Sequence, residues 1–436
     1  ARLTFRDART EESADAALGN EAPEIEFDIP GNASRSYGWG IRVPDGCGFL
    51  AYKAVAGTDK VSDGEEGFLP VLPRRVPVTE SLPLPIRGPA TKQFRFDKLL
   101  ASGQSDTLQH ESLVLQMVSN PSWYAVMALP YLMEFPHGCS EQVFNRLYAN
   151  ALARHIANSN PKIRKIFDQW KGTAALDSPL EKNQDLKAVL LEETPWLRQA
   201  QKEGEARKNV GVLFDANRLD TELGSTMQQL TEAQLEDGSW PWFPGGRADN
   251  YITLYIMTGF GRLRHLGATA DVAPALRSLE RLDQWMADRH REILKGPTPE
   301  KHVLSPTESL YLYGRSFFLK DRPIADTGRE AVHFFLGQAR QRWLDVNSRQ
   351  SQGHLALALH RFGDDANREA ARAIMASFKE RSVNDGEMGM FWRDTESSWW
   401  WHRAPIETQA LMIEAFDEIM GDARAVEDCR VWLLKQ

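Results

Sequence analysis

Two patterns of apolar and polar positions divide the chain. Up to about residue 118, apolar residues recur at every second position in short bursts. Glu24-Ile-Glu-Phe-Asp-Ile alternates with the period of a half-buried strand. Tyr37-Gly-Trp-Gly-Ile-Arg-Val, Gly48 to Val55, Gln93-Phe-Arg-Phe-Asp and Leu113 to Val118 predict further strands, punctuated by glycine and proline. Prolines 70, 73, 77, 83, 85 and 89 exclude a helix between them and suit an edge strand or an extended connector.

From Asn120 onward the spacing becomes helical. Pro121 suits a first helical turn, and Trp123 to Glu134 is apolar on most sides, as a deeply buried helix is. Pro136-His137-Gly138 breaks it. A new helix is predicted to start near Cys139, with Val143, Leu147 and Ala151 along one stripe. Residues 160–215 read as a charged insertion with helices at Lys182 to Leu191 and Arg198 to Leu213. Apolar helices then begin near Tyr251, Thr307, Ser351 and Pro405, alternating with more polar ones around 271–293, 325–344 and 366–380. Alternation at a roughly constant period predicts stacked helical hairpins. Glu236-Asp-Gly-Ser-Trp-Pro-Trp and Asn384-Asp-Gly-Glu-Met-Gly-Met-Phe-Trp each lead into an apolar helix. That style of loop resembles α/α toroids, in which inner helices form a barrel and outer helices wrap it; an irregular helical bundle is the alternative.

Composition changes this picture little. The chain has 436 residues, 42% hydrophobic and 26% charged, an ordinary folded composition with room for two or three domains. A net charge of −8 argues against a general nucleic-acid or anionic-membrane binder. No apolar run is long enough to span a bilayer. Ala1-Arg-Leu-Thr reads as a chain cut from something larger. Three cysteines, Cys47, Cys139 and Cys429, rule out a disulfide framework or a cysteine-rich zinc site. Cys47 and Cys429 pair in an oxidising compartment or stand as separate buried thiols. No phosphate-binding glycine loop, HExxH or EF-hand pattern is present, and neither a metal nor a cofactor is expected.

The candidate chemistry lies in Gly138-Cys139-Ser140-Glu141-Gln142. A cysteine sulfur displaces ammonia from a glutamine side-chain amide only when the two groups are held together. Three residues of separation across a turn into a helix brings Cys139 and Gln142 close. Gly138 would permit a tight backbone, and the helix start would favour thiolate character at Cys139. The resulting acyl group is open to amines, hydroxyls and water, so it needs a dry site. Tyr131, Leu132, Met133 and Phe135 are placed in sequence to provide apolar cover. Glu141 is expected to accept backbone N–H groups at the helix start, with a general-base role as the alternative.

These residues resemble the G-C-x-E-Q thioester motif of alpha-2-macroglobulins and complement thioester proteins. The aromatic run before it and the Asn145-Arg-Leu-Tyr helix after it resemble the bacterial branch especially. Val71 to Leu84 is similar to that group's β-rich connector, and Leu191-Glu-Glu-Thr-Pro-Trp, Gln234 to Trp240 and Asn250 to Ile256 are similar to it too. The resemblance implies a mainly α fold. Residues 1–118 would be a β-rich, CUB-like or macroglobulin-like connector, and 119–436 an α/α-toroid thioester domain. Glu427 to Gln436 resembles a helix that relatives follow with another hairpin, so an open ring is expected. The resemblance further implies a broad-spectrum protease-trapping inhibitor of the periplasm or cell surface, acting once rather than turning over as an enzyme. Its partners would be target proteases and the remaining macroglobulin domains, with no nucleic acid and no direct membrane span. Bait cleavage would expose the thioester, and lysines of the protease would be acylated.

In complement-type relatives a histidine can take over the acyl group. Of ten histidines, His302, just before a predicted inner helix, is the candidate, against an ordinary loop role; without one, amines are the preferred acceptors. His137 is expected to be structural. Trp399-Trp-Trp401 would line the toroid mouth, contact a partner domain or pack in the core, and Asp364-Asp365 would cap a helix. Three rival readings remain. The first is a cysteine-nucleophile transferase or hydrolase of transglutaminase type. The second is a carbohydrate-active toroid using loop acids such as Asp237, Asp249 and Asp385. The third is a structural domain whose thioester never forms.

Overall fold

The structure, a computed structural model, describes residues 1–44, 47–71, 80–104, 129–133, 138–159, 216–393 and 405–435, with isolated positions elsewhere. Its contacts gather into two units: 1–84 with 92–104, and 85–91 with 105–436. The chain is mainly α-helical with a β-containing start.

The first unit is built on one antiparallel sheet of order β1-β2-β3: β1 (Arg2–Asp7), β2 (Phe49–Gly57) and β3 (Ser62–Pro70). Phe5 of β1 lies opposite Tyr52, and Asp7 opposite Leu50. Phe5, Ala14, Leu18 and Leu50 form its small core. Only β2 was legible as a strand. β3, Ser-Asp-Gly-Glu-Glu-Gly-Phe-Leu-Pro, is exposed over nearly its whole length and has no burial to impose alternation. The expected strand at Glu24 makes only an isolated bridge to Arg2, with Leu3 donating to the Pro23 carbonyl and Ile25 to that of Ala1. The Pro23 nitrogen has no hydrogen to extend the ladder. Residues 37–43 are irregular, and α1 (Asp97–Ala101) begins where an alternating strand was expected to end. No described residue in 113–118 is in a strand; the others there lie outside the described residues, as do 160–164, 170–215 and Trp399-Trp-Trp401.

The second unit opens with α2 (Leu129–Met133), α3 (Ser140–Ser159) and α4 (Ala216–Ala233), where α3 packs on both of the others. Then come α5 (Asn250–His265), α6 (Ala273–Leu294), α7 (Pro306–Ser316), α8 (Asp326–Arg342), α9 (Arg349–Phe362), α10 (Asp365–Glu380), α11 (Pro405–Ala415) and α12 (Ala423–Leu433). Two layers result. Helices α3, α5, α7, α9 and α11 pack each on the next, while α6, α8 and α10 form a second succession outside them. This is the alternation of an α/α toroid.

The layers follow from burial. In α9, Leu355 to Leu359 are all fully buried, since this helix has neighbours on every side. In α10 only the stripe Ala371, Ile374, Met375 and Phe378 is fully buried among its apolar residues. Each fully buried leucine or phenylalanine contributes about 1.5–3 kcal/mol of transfer free energy. Caps set the boundaries. Ser305 and Glu308 form a reciprocal capping box on α7, and Ser348 caps α9. Gly363, at φ +86°, ends α9, and Asp364 then caps α10 by accepting from the Asn367 N–H at 2.8 Å.

Candidate functional site

Cys139 lies immediately before α3, and its carbonyl accepts the Val143 N–H at 2.9 Å. The helix forms here because Val143, Phe144, Leu147 and Ala151 bury one stripe in the main core, with Ala149, Ala153 and Ala157 facing a second cluster. Phe144 is seated on Gly259 of α5, where any Cβ would overlap the phenyl ring. The start of α3 is fixed by a loop far along the chain: the Ser140 N–H donates to the Trp242 carbonyl at 2.9 Å.

That loop is the Asp-Gly-Ser-Trp-Pro-Trp segment. Gly238, at φ +80°, approaches the Arg277 carbonyl of α6 too closely for a side chain. Trp240 is fully buried and donates its indole N–H to the Leu230 carbonyl at 2.8 Å. The short strands β4 (Trp240–Pro241) and β5 (Ala248–Asp249) then return the chain to α5. The second lead-in is built alike. Strands β6 (Val383–Asp385) and β7 (Gly389–Phe391) pair, and Trp392 donates to the Phe378 carbonyl at 3.0 Å. Gly389, at φ +77°, abuts the Asp428 carbonyl of α12. The counterpart of Gly238 is thus Gly389, not the Gly386 that the Asp-Gly pattern suggested.

Cys139 is 7% exposed, Cys429 is fully buried, and neither of them nor Cys47 is in a disulfide, so the Cys47–Cys429 pair is not formed. Burial pushes the Cys429 thiol up to about 12, which makes it inert. Gln142 follows Cys139 on the first turn of α3, half-buried. The described partner of Cys139 Sγ is Glu141 Oε2 at 4.0 Å. Glu141 Oε1 accepts from Asn145 Nδ2 at 2.7 Å, and Asn145 Oδ1 accepts from the Tyr255 hydroxyl of α5 at 2.7 Å. Among the described residues, the partners of Glu141 are side chains and not the expected backbone N–H groups. Ser140 is 2% exposed, and among the described residues its hydroxyl has no hydrogen-bond partner.

The other expected site residues are distributed as follows. Gly138 is exposed, its φ is not left-handed, and a Cβ there would meet nothing within 4 Å, so its described surroundings do not demand glycine. Met133 is buried among Leu129, Ala149, Ala153, Ala157 and Leu219, a cluster that does not include Cys139. Leu132 is 42% exposed and is not the expected cover. Tyr131 lies in α2, but its side chain falls outside the described residues, as do Phe135 and His137. His302 pairs with Glu308 Oε2 at 3.0 Å and lies near Phe334; Arg289 reaches the other oxygen of Glu308 at 3.1 Å. It acts as a clamp on the start of α7, and these partners belong to α6, α7 and α8.

The loop acids are committed to local backbone. Asp237 accepts from the Ser239 N–H and hydroxyl, Asp249 caps α5 through the Ile252 N–H, and Asp385 accepts from the Glu387 and Met388 N–H groups. A pair of carboxylates free to act across a cleft is not formed by these three.

Charge is concentrated between the inner helices. Arg361 of α9 meets Glu414 at 2.8 Å and Glu418 at 2.5 Å, and Tyr313 of α7 donates to Glu414 at 2.8 Å. His354 stacks on Tyr313 at 4.7 Å; dense surroundings, then Arg262 and Arg361, push its imidazole down to about 3. His265, Glu414 and Glu418 converge closely enough to hold a cation, but Arg361 already bridges both carboxylates and Arg262 stands 3.9 Å from Glu414. Among the described residues, no helix is long and apolar enough to cross a membrane.

Asn145 and Tyr255 entered the sequence reading only as members of matching segments, with no role at the site. Asn145 stands four residues after Glu141, on the same helical face, and that spacing was readable. Tyr255, 110 positions beyond Asn145, was not.

No family model matches the chain, and no curated protein does. Solved structures overlap it loosely. Native alpha-2-macroglobulin from Escherichia coli, from domain MG7 to its C-terminus, has a TM-score of 0.39 and 14% identity, covering 90% of this chain and 54% of that one. Salmonella alpha-2-macroglobulin reacted with methylamine has a TM-score of 0.35 and 14% identity, over 91% of this chain and 22% of that one. The chain thus spans about half, or about a fifth, of the structures it overlaps.

Proposed function

We propose that Cys139 and Gln142 close an internal thioester, and that the chain is the acylating element of a protease-trapping inhibitor. The observation that carries this reading is the buried Cys139 placed directly before α3, with Gln142 on that helix's first turn and the helix start tied to Trp242. The motif Gly138 to Gln142 supplies both reacting groups. Burial supports the survival of an acyl group that water would otherwise hydrolyse.

In this reading the trap acts once. Cleavage of a bait elsewhere in the full protein exposes the bond, a lysine amine of the protease attacks the Gln142 carbonyl, and Cys139 leaves as a thiol. The partners are proteases and the remaining macroglobulin domains, and the setting is the periplasm or cell surface. Because His302 is held by Glu308, direct attack by amines fits better than relay through an imidazole.

Methylamine tests the reading. Incorporation of one equivalent at Gln142, with one new thiol at Cys139 and no further turnover, is expected. Repeated transfer of methylamine to a substrate, with Gln142 unmodified, would instead favour a cysteine-nucleophile transferase, and no incorporation at Gln142 would remove the thioester reading.

A further inference from the structure

The row of side chains leading from α5 to the cysteine has a direction. Tyr255 donates to Asn145, Asn145 donates to Glu141 Oε1, and the other oxygen of Glu141 faces Cys139 Sγ at 4.0 Å. Donors and acceptors match at every step, so the amide of Asn145 has one orientation and Oε2 of Glu141 is left for the sulfur. The frame behind it is rigid. Tyr255 lies edge-on to Phe144, with ring centroids 6.1 Å apart, and Phe144 is locked on Gly259 one turn further along α5. Burial raises the Tyr255 hydroxyl well above its usual range, so it stays a proton donor to Asn145 at any ordinary pH. An exposed helix-start glutamate needs no such support from a helix so distant in sequence.

Resting on the thioester reading, we infer that Glu141 is the general base and acid that makes the bond, and that Asn145 and Tyr255 are its positioning residues. Glu141 takes the proton from Cys139 Sγ as the sulfur attacks the amide carbon of Gln142. The sulfur–carbon bond forms, and the carbon–nitrogen bond then breaks. The same proton passes from Glu141 to the departing nitrogen, which leaves as ammonia. Thiol and amide become thioester and ammonia, the carboxylate is restored, and no other reactant is consumed.

The test is a time course of thioester formation after cell-free synthesis of the chain, read by intact mass as the loss of ammonia. Glu141→Gln is expected to form the bond ~100-fold more slowly or worse, the scale of general acid–base catalysis. Tyr255→Phe keeps the ring packing and is expected to slow formation several-fold. In the Glu141→Gln background, Tyr255→Phe is expected to have no further effect, because it acts through the carboxylate. Added formate is expected to restore part of the rate to Glu141→Ala, which a merely structural loss would not allow. Melting curves of the variants exclude misfolding as the cause. If the wild-type chain never loses ammonia, the thioester reading fails. If the wild-type chain forms the bond and Glu141→Gln matches its rate, the thioester reading stands and this inference is overturned. Additive effects of the two substitutions would remove Tyr255 from the proposal.

Discussion

Arg315 of α7 has no exposed side-chain surface, and Asp283 of α6 meets it with two bonds, at 2.9 and 3.2 Å. The Tyr311 hydroxyl adds a third hydrogen bond to Asp283 at 2.8 Å. Such a pair gains little over an apolar one, but losing one member leaves a buried charge alone. Arg315→Met should therefore lower unfolding stability by about 3–5 kcal/mol in denaturant titrations. Adding Asp283→Leu should recover part of that loss, and a single substitution without measurable cost would contradict the placement. The cysteine site shows the same limit of sequence reading. Cys139, Glu141 and Gln142 could be named as candidates because the proposed chemistry depends on local spacing. Tyr255 and Trp242 were not, because only folding brings them to the start of α3.

Two glycines separate an element-scale requirement from a coincidence of sequence. Gly238 has a left-handed φ and sits against the Arg277 carbonyl, whereas Gly386 has nothing within 4 Å of where a Cβ would stand. Gly238→Ala should cost well over 1 kcal/mol, and Gly386→Ala should be neutral within about 0.5 kcal/mol. Paired thermal melts decide it, and equal effects would contradict the hairpin geometry. The helices α5, α7, α9 and α11 began within two residues of the expected Tyr251, Thr307, Ser351 and Pro405. Their apolar runs are long and their caps are local, so periodicity was enough. β3 escaped because it is polar and buries little, whereas β1 is short and carries two alternating apolar positions, Leu3 and Phe5; the hydrogen bonds that make both of them strands come from β2.

Across the whole molecule, several groups titrate in the same sense. His354 is held near 3 in the folded chain against an ordinary value of 6.5, and His290 and His360 are also lowered, chiefly by burial. An unfolded chain binds those protons more readily, so stability falls as pH drops below about 6.5. Glu418 is lowered by Arg361 against the opposing effect of its burial, and Glu308 by the Ser305 N–H and His302. Their contribution is present above the ordinary carboxylate range and is lost on acidification. Melting temperature should therefore decline from pH 7 to pH 4, and His354→Gln should flatten the histidine part of that decline. A profile unchanged by the substitution would show that His354 is free to protonate when folded.

The central claim is the bond itself, and the intact mass of the native, untreated chain measures it most directly, together with thiol labelling mapped to Cys139. The account predicts a mass short by one ammonia and a Cys139 that stays unlabelled until methylamine or denaturant is added. A full sequence mass, with Cys139 alkylated at once in the native protein, would contradict it.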